Sequence, residues 1–199
     1  KPVPIEISRL IDSNSTSLTF LELYNLYLGW NPPSGSPYSV HLPNLERLVF
    51  DKTESYKLLR HLTFGMKMTW VEVSISHVFP KIKDGVISFE KKSELSVNTQ
   101  NLVKFLLAFP NLECIVFDRY GFHFSNEIKN AFKSLVSLKK IAMNVEERVE
   151  DYIGSKIVEN LEFYQTKTWF VNWNFISSLE RLRELCIRNN FEPGEPFFD

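Results

Sequence analysis

The chain has 199 residues and a formal net charge of −1, so it can bury one sizeable core in at most two domains. The near-neutral charge gives no basic footprint, which argues against nucleic acid as the main ligand. No apolar run approaches the ~18–20 residues that a membrane-spanning helix needs, so we expect no membrane partner.

Residues 1–17 precede the first strand-like segment and are predicted to form an N-terminal capping segment. Ile7, Leu10 and Ile11 stand at helical spacing, which predicts a short helix over residues 4–11. We expect this helix to cover the apolar end of the core that follows.

One ten-residue stretch occurs twice, as LPNLERLVFD at 42–51 and as FPNLECIVFD at 109–118. Both copies have apolar residues at relative positions 1, 4 and 6, and positions 4 and 6 share one face of an extended strand. The same pattern recurs with first positions at 18, 45, 68, 92, 112, 138, 158 and 182, at spacings of 20 to 27 residues. The copy at 92 is weaker because it begins with Lys92. Eight near-regular copies indicate a repeat architecture.

Between the strands the apolar period changes to 3.6. It predicts helices over residues 54–64, 99–109, 125–135, 146–157 and 172–179, with a helix start at Ser125. Residues 31–37 are rich in Pro, Gly and Ser and predict an inserted loop. Pro80 and Gly85 predict irregular structure over residues 79–90. Residues 191–199 form a tail, in which Phe197 and Phe198 either cap the last repeat or stay exposed.

These repeats resemble those of leucine-rich repeat proteins, over about residues 18–190. The resemblance implies an α/β solenoid of about eight repeats, with a curved parallel sheet inside and helices or irregular segments outside. The sequence departs from the family at position 9, where only the last repeat keeps Asn, as Asn190. The irregular repeats are similar to those of intracellular F-box proteins.

What the resemblance implies is a protein–protein interaction module that uses its concave face. It allows a role as the substrate-recognition part of an F-box ubiquitin ligase. Because the chain opens at Lys1, we expect a fragment whose missing N-terminal segment could join a ubiquitin-ligase adaptor. The alternative is a structural subunit of a larger assembly, such as a kinetochore or chromatin complex.

The two cysteines, Cys114 and Cys186, lie three repeats apart. With about 4.8 Å between strands their separation is roughly 14 Å, whereas a disulfide needs Cα atoms within about 7 Å. We predict two free thiols and an intracellular location, cytoplasmic or nuclear.

Catalytic patterns are not found in the sequence. It has no glycine-rich phosphate-binding motif and no Gly-x-Ser-x-Gly element. The four histidines lack metal-ligand spacing, and neither cysteine has a neighbouring base. We expect no enzyme, no cofactor and no metal.

Positions 3, 5 and 7 of each repeat are predicted to pave the concave face. The partner-binding residues predicted there or beside it are Phe20, Tyr24, Arg47, Asp51, Trp70, Glu72, Asp118, Arg119, Tyr164 and Arg188. Four of them form what we name the aromatic patch: Phe20, Tyr24, Arg47 and Trp70. They come from three adjacent strands and should lie within about 10 Å of one another. Two interpretations stay open: a partner site, in which Trp, Tyr and Arg dominate binding, or packing under the Pro-rich loop or a missing domain.

Overall fold

The computed structural model describes residues 4–24, 39–51, 56–73, 78–91, 99–117, 125–144, 150, 153–164 and 172–188. They form an α/β protein with a seven-stranded parallel sheet and a four-stranded mixed sheet. In chain order the elements are α1 (Pro4–Ser13), β1 (Phe20–Leu23), β2 (Val40–Leu42), β3 (Arg47–Phe50), α2 (Tyr56–Leu59), β4 (Leu62–Phe64), β5 (Trp70–Val73), β6 (Val78–Lys83), β7 (Val86–Lys91), α3 (Thr99–Ala108), β8 (Cys114–Phe117), α4 (Asn126–Ser134), β9 (Lys140–Asn144), β10 (Asn160–Tyr164), α5 (Trp173–Ser177) and β11 (Glu184–Arg188).

The parallel sheet has the order β1-β3-β5-β8-β9-β10-β11, so its strands follow one another along the chain. Its register is the one that the repeat predicts, because residues at the same repeat position pair across every junction. At position 4 the paired residues are Leu21, Leu48, Val71, Ile115, Ile141, Leu161 and Leu185. The first six are buried, whereas Leu185, on the last strand, is 38% exposed.

A repeated set of backbone hydrogen bonds fixes this register. The carbonyl of Thr19 accepts from the N–H groups of Glu46 and Arg47, at 2.8 and 3.0 Å. The equivalent carbonyls at position 2 of the later repeats, which do the same for the next strand, belong to Glu46, Thr69, Glu113, Lys139 and Glu159. Each junction therefore has the same local geometry.

The strand expected from the fourth repeat is not found in its predicted place between β5 and β8. Strand β5 pairs directly with β8, with Val71 opposite Ile115, so no strand lies between them. Residues 92–98 themselves lie outside the described residues. The expectation of eight adjacent strands is wrong at this position, because β5 and β8 are direct neighbours and the described residues between them in the chain form β6, β7 and α3.

Part of that structure is a β-hairpin, so the prediction of irregular structure over residues 79–90 is also wrong. Strands β6 and β7 pair antiparallel around Asp84 and Gly85, both of which have positive φ, at 52° and 74°. An Asp-Gly pair in this conformation makes the two-residue turn that matches strand twist. Pro80 is accommodated because β6 is the edge strand of its sheet.

The mixed sheet, with the order β2-β4-β7-β6, was not expected. Strands β2 and β4 are parallel, and β7 joins β4 in the antiparallel sense. The helix predicted over residues 54–64 is therefore wrong in its second half, because helix α2 ends at Leu59 and β4 follows.

The remaining helix predictions agree in part. Helices α1, α3, α4 and α5 occupy the predicted segments, and the side chain of Ser125 accepts from the backbone N–H of Ile128 as expected for an N-cap. Leu10, one of the three apolar residues at helical spacing in α1, is 65% exposed. Residues 153–157 are not helical, since Ser155 bonds instead to the carbonyls of Val136 and Leu138.

One continuous buried cluster runs through both sheets and their helices. Its largest fully buried side chains include Phe50 of β3, Phe64 of β4, Phe105 of α3 and Phe132 of α4. No helix in the described ranges has the length and apolarity needed to cross a bilayer. The loop predicted at 31–37 and the tail at 191–199 lie outside the described residues.

Candidate functional site

The face of the parallel sheet opposite the core carries position 3 of each repeat. The side chains that pair along this row are Phe20, Arg47, Trp70, Cys114, Lys140, Asn160 and Glu184. Since strand side chains alternate, position 5 shares this face. The register places Phe20, Arg47 and Trp70 of the aromatic patch side by side on β1, β3 and β5, as predicted.

The guanidinium of Arg47 lies between two aromatic rings. Its carbon Cζ is 4.9 Å from the ring centroid of Phe20 and 4.4 Å from that of Trp70. Both distances fall within the ~6 Å at which a cation is attracted to a ring face. The Nε atom of Arg47 is buried and has no hydrogen-bond partner. Among the described residues, these two rings are the contacts that hold the guanidinium in place.

The carboxylate of Glu72 is the polar centre of the same surface. Its Oε1 atom accepts from Trp70 Nε1 at 2.7 Å and from Lys140 Nζ at 2.9 Å, and Cys114 Sγ lies at 3.6 Å. The side chains of Lys140 and Glu72 are 29% and 16% exposed, so water screens this ion pair only in part. The network fixes the ring of Trp70 and thereby one side of the Arg47 stack.

Tyr24, the fourth residue of the aromatic patch, follows the end of β1 and is 52% exposed. A hydrogen bond to the Glu22 side chain, with smaller contributions from burial and the negative charges of Glu22 and Glu72, raises the pKa of Tyr24 to about 12. At neutral pH Tyr24 is therefore a neutral phenol beside an exposed carboxylate.

Small buried side chains line the middle of the face. Cys114, Val116 and Ala142 form a separate buried cluster against which Trp70 packs. Burial, followed by the negative charge of Glu72, raises the pKa of the Cys114 thiol, so it is not a nucleophilic thiolate. Cys114 and Cys186 are not disulfide-bonded, which confirms the prediction of reduced cysteines.

The structure brings together five of the predicted site residues: Phe20, Tyr24, Arg47, Trp70 and Glu72. Asp51 directly follows the end of β3 and is partly buried.

The side chains of four predicted site residues lie outside the described part of the structure. Asp118 and Arg119 lie outside the described residues. Tyr164 and Arg188 end strands β10 and β11, and their side chains also lie outside the description.

Two residues of the network were not in the predicted site. Lys140 and Cys114 reach Glu72 although they come from the next two strands, β9 and β8. The signal for them was the shared repeat position 3, which puts both on the row of Arg47 and Trp70. Within the described part of the chain, no group of three or more His, Cys, Asp or Glu could hold a metal ion.

Comparison of the chain with protein-family models, with curated protein sequences and with solved structures gave no match.

Proposed function

We propose that this chain is a protein-binding module built as a leucine-rich repeat solenoid, with the outward face of the parallel sheet as its concave working surface. The solenoid is supported by the chain-order strands, by their common register and by the backbone bonds that recur at each junction. The order and register are what stacked repeats require, since each repeat contacts only its neighbours.

The observation that carries the proposal is the aromatic patch. Phe20 is 43% exposed and Tyr24 is 52% exposed, next to an arginine fixed between two rings. Trp, Tyr and Arg are the residues that contribute most to protein–protein binding. Because the neighbouring strands hold these side chains in place, little conformational entropy is lost when a partner binds.

Within this class we propose substrate recognition for an F-box ubiquitin ligase. The support is the resemblance of the irregular repeats alone. Co-purification of the full-length protein with a cullin-ligase adaptor tests this narrower role, and its failure leaves the binding module in place.

The module is tested by affinity capture with two matched double variants. Phe20→Ser with Tyr24→Ser alters the aromatic patch. Leu107→Ser with Trp173→Ser alters side chains of similar exposure, at 58% and 54%, on helices α3 and α5.

We expect partners that bind the wild type and the helix variant, and that are lost from the patch variant, while circular dichroism shows all three folded. If the patch variant captures the same proteins as the wild type, or if only the helix variant loses them, the proposed surface is wrong.

A further inference from the structure

The charged groups around the aromatic patch differ in whether other side chains form hydrogen bonds or ion pairs with them. Glu22 bonds to Tyr24, and Glu72 bonds to Trp70 and Lys140. The guanidinium of Arg47 contacts two rings, its buried Nε has no hydrogen-bond partner, and it forms no ion pair with the described part of the chain. Among the four charged side chains Glu22, Glu72, Lys140 and Arg47, Lys140 is paired with Glu72, and Arg47 is the cation that no described carboxylate pairs.

A guanidinium held between two rings presents its donors in a fixed plane. Arginine carries five N–H donors in a rigid fork that matches a carboxylate, and such charge-assisted bonds are about twice as strong as neutral ones. The rings of Phe20 and Trp70 restrict the side chain before binding, so less rotamer entropy is lost when the bond forms.

We infer that Arg47 is the anchor for a carboxylate of the partner, supplied by an Asp or Glu side chain in a peptide segment that lies over the aromatic patch. This inference rests on the proposed function and names the chemistry of the partner at that surface. Phe20 and Tyr24, both exposed, flank the anchor and receive apolar parts of the same segment.

The neighbouring charges select a carboxylate rather than a phosphate. Glu22 and Glu72 lie on β1 and β5, the two strands on either side of the strand that carries Arg47, and both pair with Val49, two residues along from Arg47. The two carboxylates therefore lie near the anchor. A phosphate group carries about −1.5 to −2 charges at neutral pH and is repelled more strongly than a carboxylate with one. The hydrogen bonds that Glu72 already accepts from Trp70 and Lys140 reduce its repulsion of a single negative charge.

The test begins with a phage library of random peptides, each joined through its C-terminus to the coat protein so that only side-chain carboxylates are available. Peptides selected on the wild-type protein are synthesised with a blocked C-terminus, and each Asp or Glu is changed to Asn or Gln. We expect one acidic position whose amide variant binds roughly ten- to hundredfold more weakly, as for a lost hydrogen bond to a charged group.

A double-mutant cycle assigns that position to Arg47. Arg47→Met keeps an unbranched apolar stem between the rings and removes the fork. Arg9→Met removes the same charge from the exposed surface of α1 and is the matched control. We expect the acid-to-amide change to have no further effect on binding to Arg47→Met, and its full effect on binding to Arg9→Met.

The outcomes separate this inference from the proposed function. Selected peptides that need no acidic residue, or whose acidic residue is insensitive to Arg47→Met, overturn the inference. If those peptides still lose binding to the Phe20→Ser, Tyr24→Ser variant, the protein-binding surface stands. If binding is indifferent to that variant as well, or if no peptide is selected, both proposals are wrong.

Discussion

The two sheets of this protein differ in how far the sequence indicates where their strands lie. The parallel sheet repeats one unit, with the same paired backbone bonds between consecutive strands. The mixed sheet combines two three-residue strands, β2 and β4, with a hairpin closed by a tight turn. Both bury their side chains in one cluster. The strands of a repeated unit can be recognised from their spacing in the sequence. A sheet built from dissimilar strands depends on contacts that no sequence period indicates.

Because both sheets bury their side chains in one cluster, we expect the mixed sheet to be as important for stability as the repeats. Phe64 of β4 and Phe50 of β3 are both 0% exposed, so we expect Phe64→Ala and Phe50→Ala each to lower the free energy of unfolding by about 3–5 kcal/mol. Chemical denaturation measures both. Leu107→Ala, at a side chain that is 58% exposed, is the control and should change stability by less than about 0.5 kcal/mol. A loss below about 1 kcal/mol for Phe64→Ala alone would show that the mixed sheet is peripheral to the core.

Close backbone approach within the mixed sheet gives the next effect. A Cβ atom on Gly65 would lie 2.2 Å from the carbonyl oxygen of Pro43, while the Gly65 N–H donates to Leu42 at 3.1 Å. The backbone must shift to admit a methyl group, so Gly65→Ala should destabilise the protein by about 3 kcal/mol. Thermal and denaturant unfolding check this value, and an unchanged stability would contradict the packing of β2 against β4.

Replacing Gly85 of the hairpin turn by alanine should destabilise the protein less than Gly65→Ala. A Cβ atom on Gly85 would meet nothing within 4 Å, but its φ of 74° is unfavourable for a side chain. We expect Gly85→Ala to cost about 1–2 kcal/mol, and Gly85→Asn to cost less because Asn tolerates this conformation. Equal losses for the two variants in denaturant unfolding would show that strain at this φ is not the cause.

The smallest effect concerns the outward face of the parallel sheet. The pKa of Tyr24 is raised from 10.0 to about 12, first by its hydrogen bond to Glu22. Because the folded pKa exceeds the unfolded one, Tyr24 favours the folded state at pH below 10 and loses that contribution as the pH rises towards 12. Its large exposure keeps this contribution small. The NMR shift of the tyrosine ring carbon Cζ, assigned with Tyr24→Phe, follows the titration; Glu22→Gln should lower the pKa, and an unchanged value would refute the bond.

The sequence was sufficient to predict the parallel sheet where the repeat is strong. Leu45, Leu48 and Phe50, with their counterparts Leu112, Ile115 and Phe117, set the register that the backbone bonds realise. Because register determines which side chains share a face, the meeting of Phe20, Arg47 and Trp70 was predictable as well. The order of these three side chains along the row could be predicted without knowing the structure of the connecting segments.

The failures have specific physical causes. The apolar pattern of residues 58–64 fits a helix, but Leu62 and Phe64 also alternate as in a strand, and pairing with β2 decides between the two. At Asp84 and Gly85 the turn signal was present, and the weight given to Pro80 obscured it. The hydrogen bond from Lys140 to Glu72 could not be predicted from register alone, since it depends on the reach of a long side chain across β8.

The proposed surface depends on β5 and β8 being direct neighbours in the parallel sheet. Backbone nuclear Overhauser effects in isotope-labelled protein measure this pairing. We expect cross-peaks between residues 70–73 and 114–117, following the pairing of Trp70 with Cys114 and of Val73 with Phe117. Cross-peaks that instead join residues 70–73 to residues 92–98 would place another strand in the sheet, separate Glu72 from Cys114, and contradict the surface proposed here.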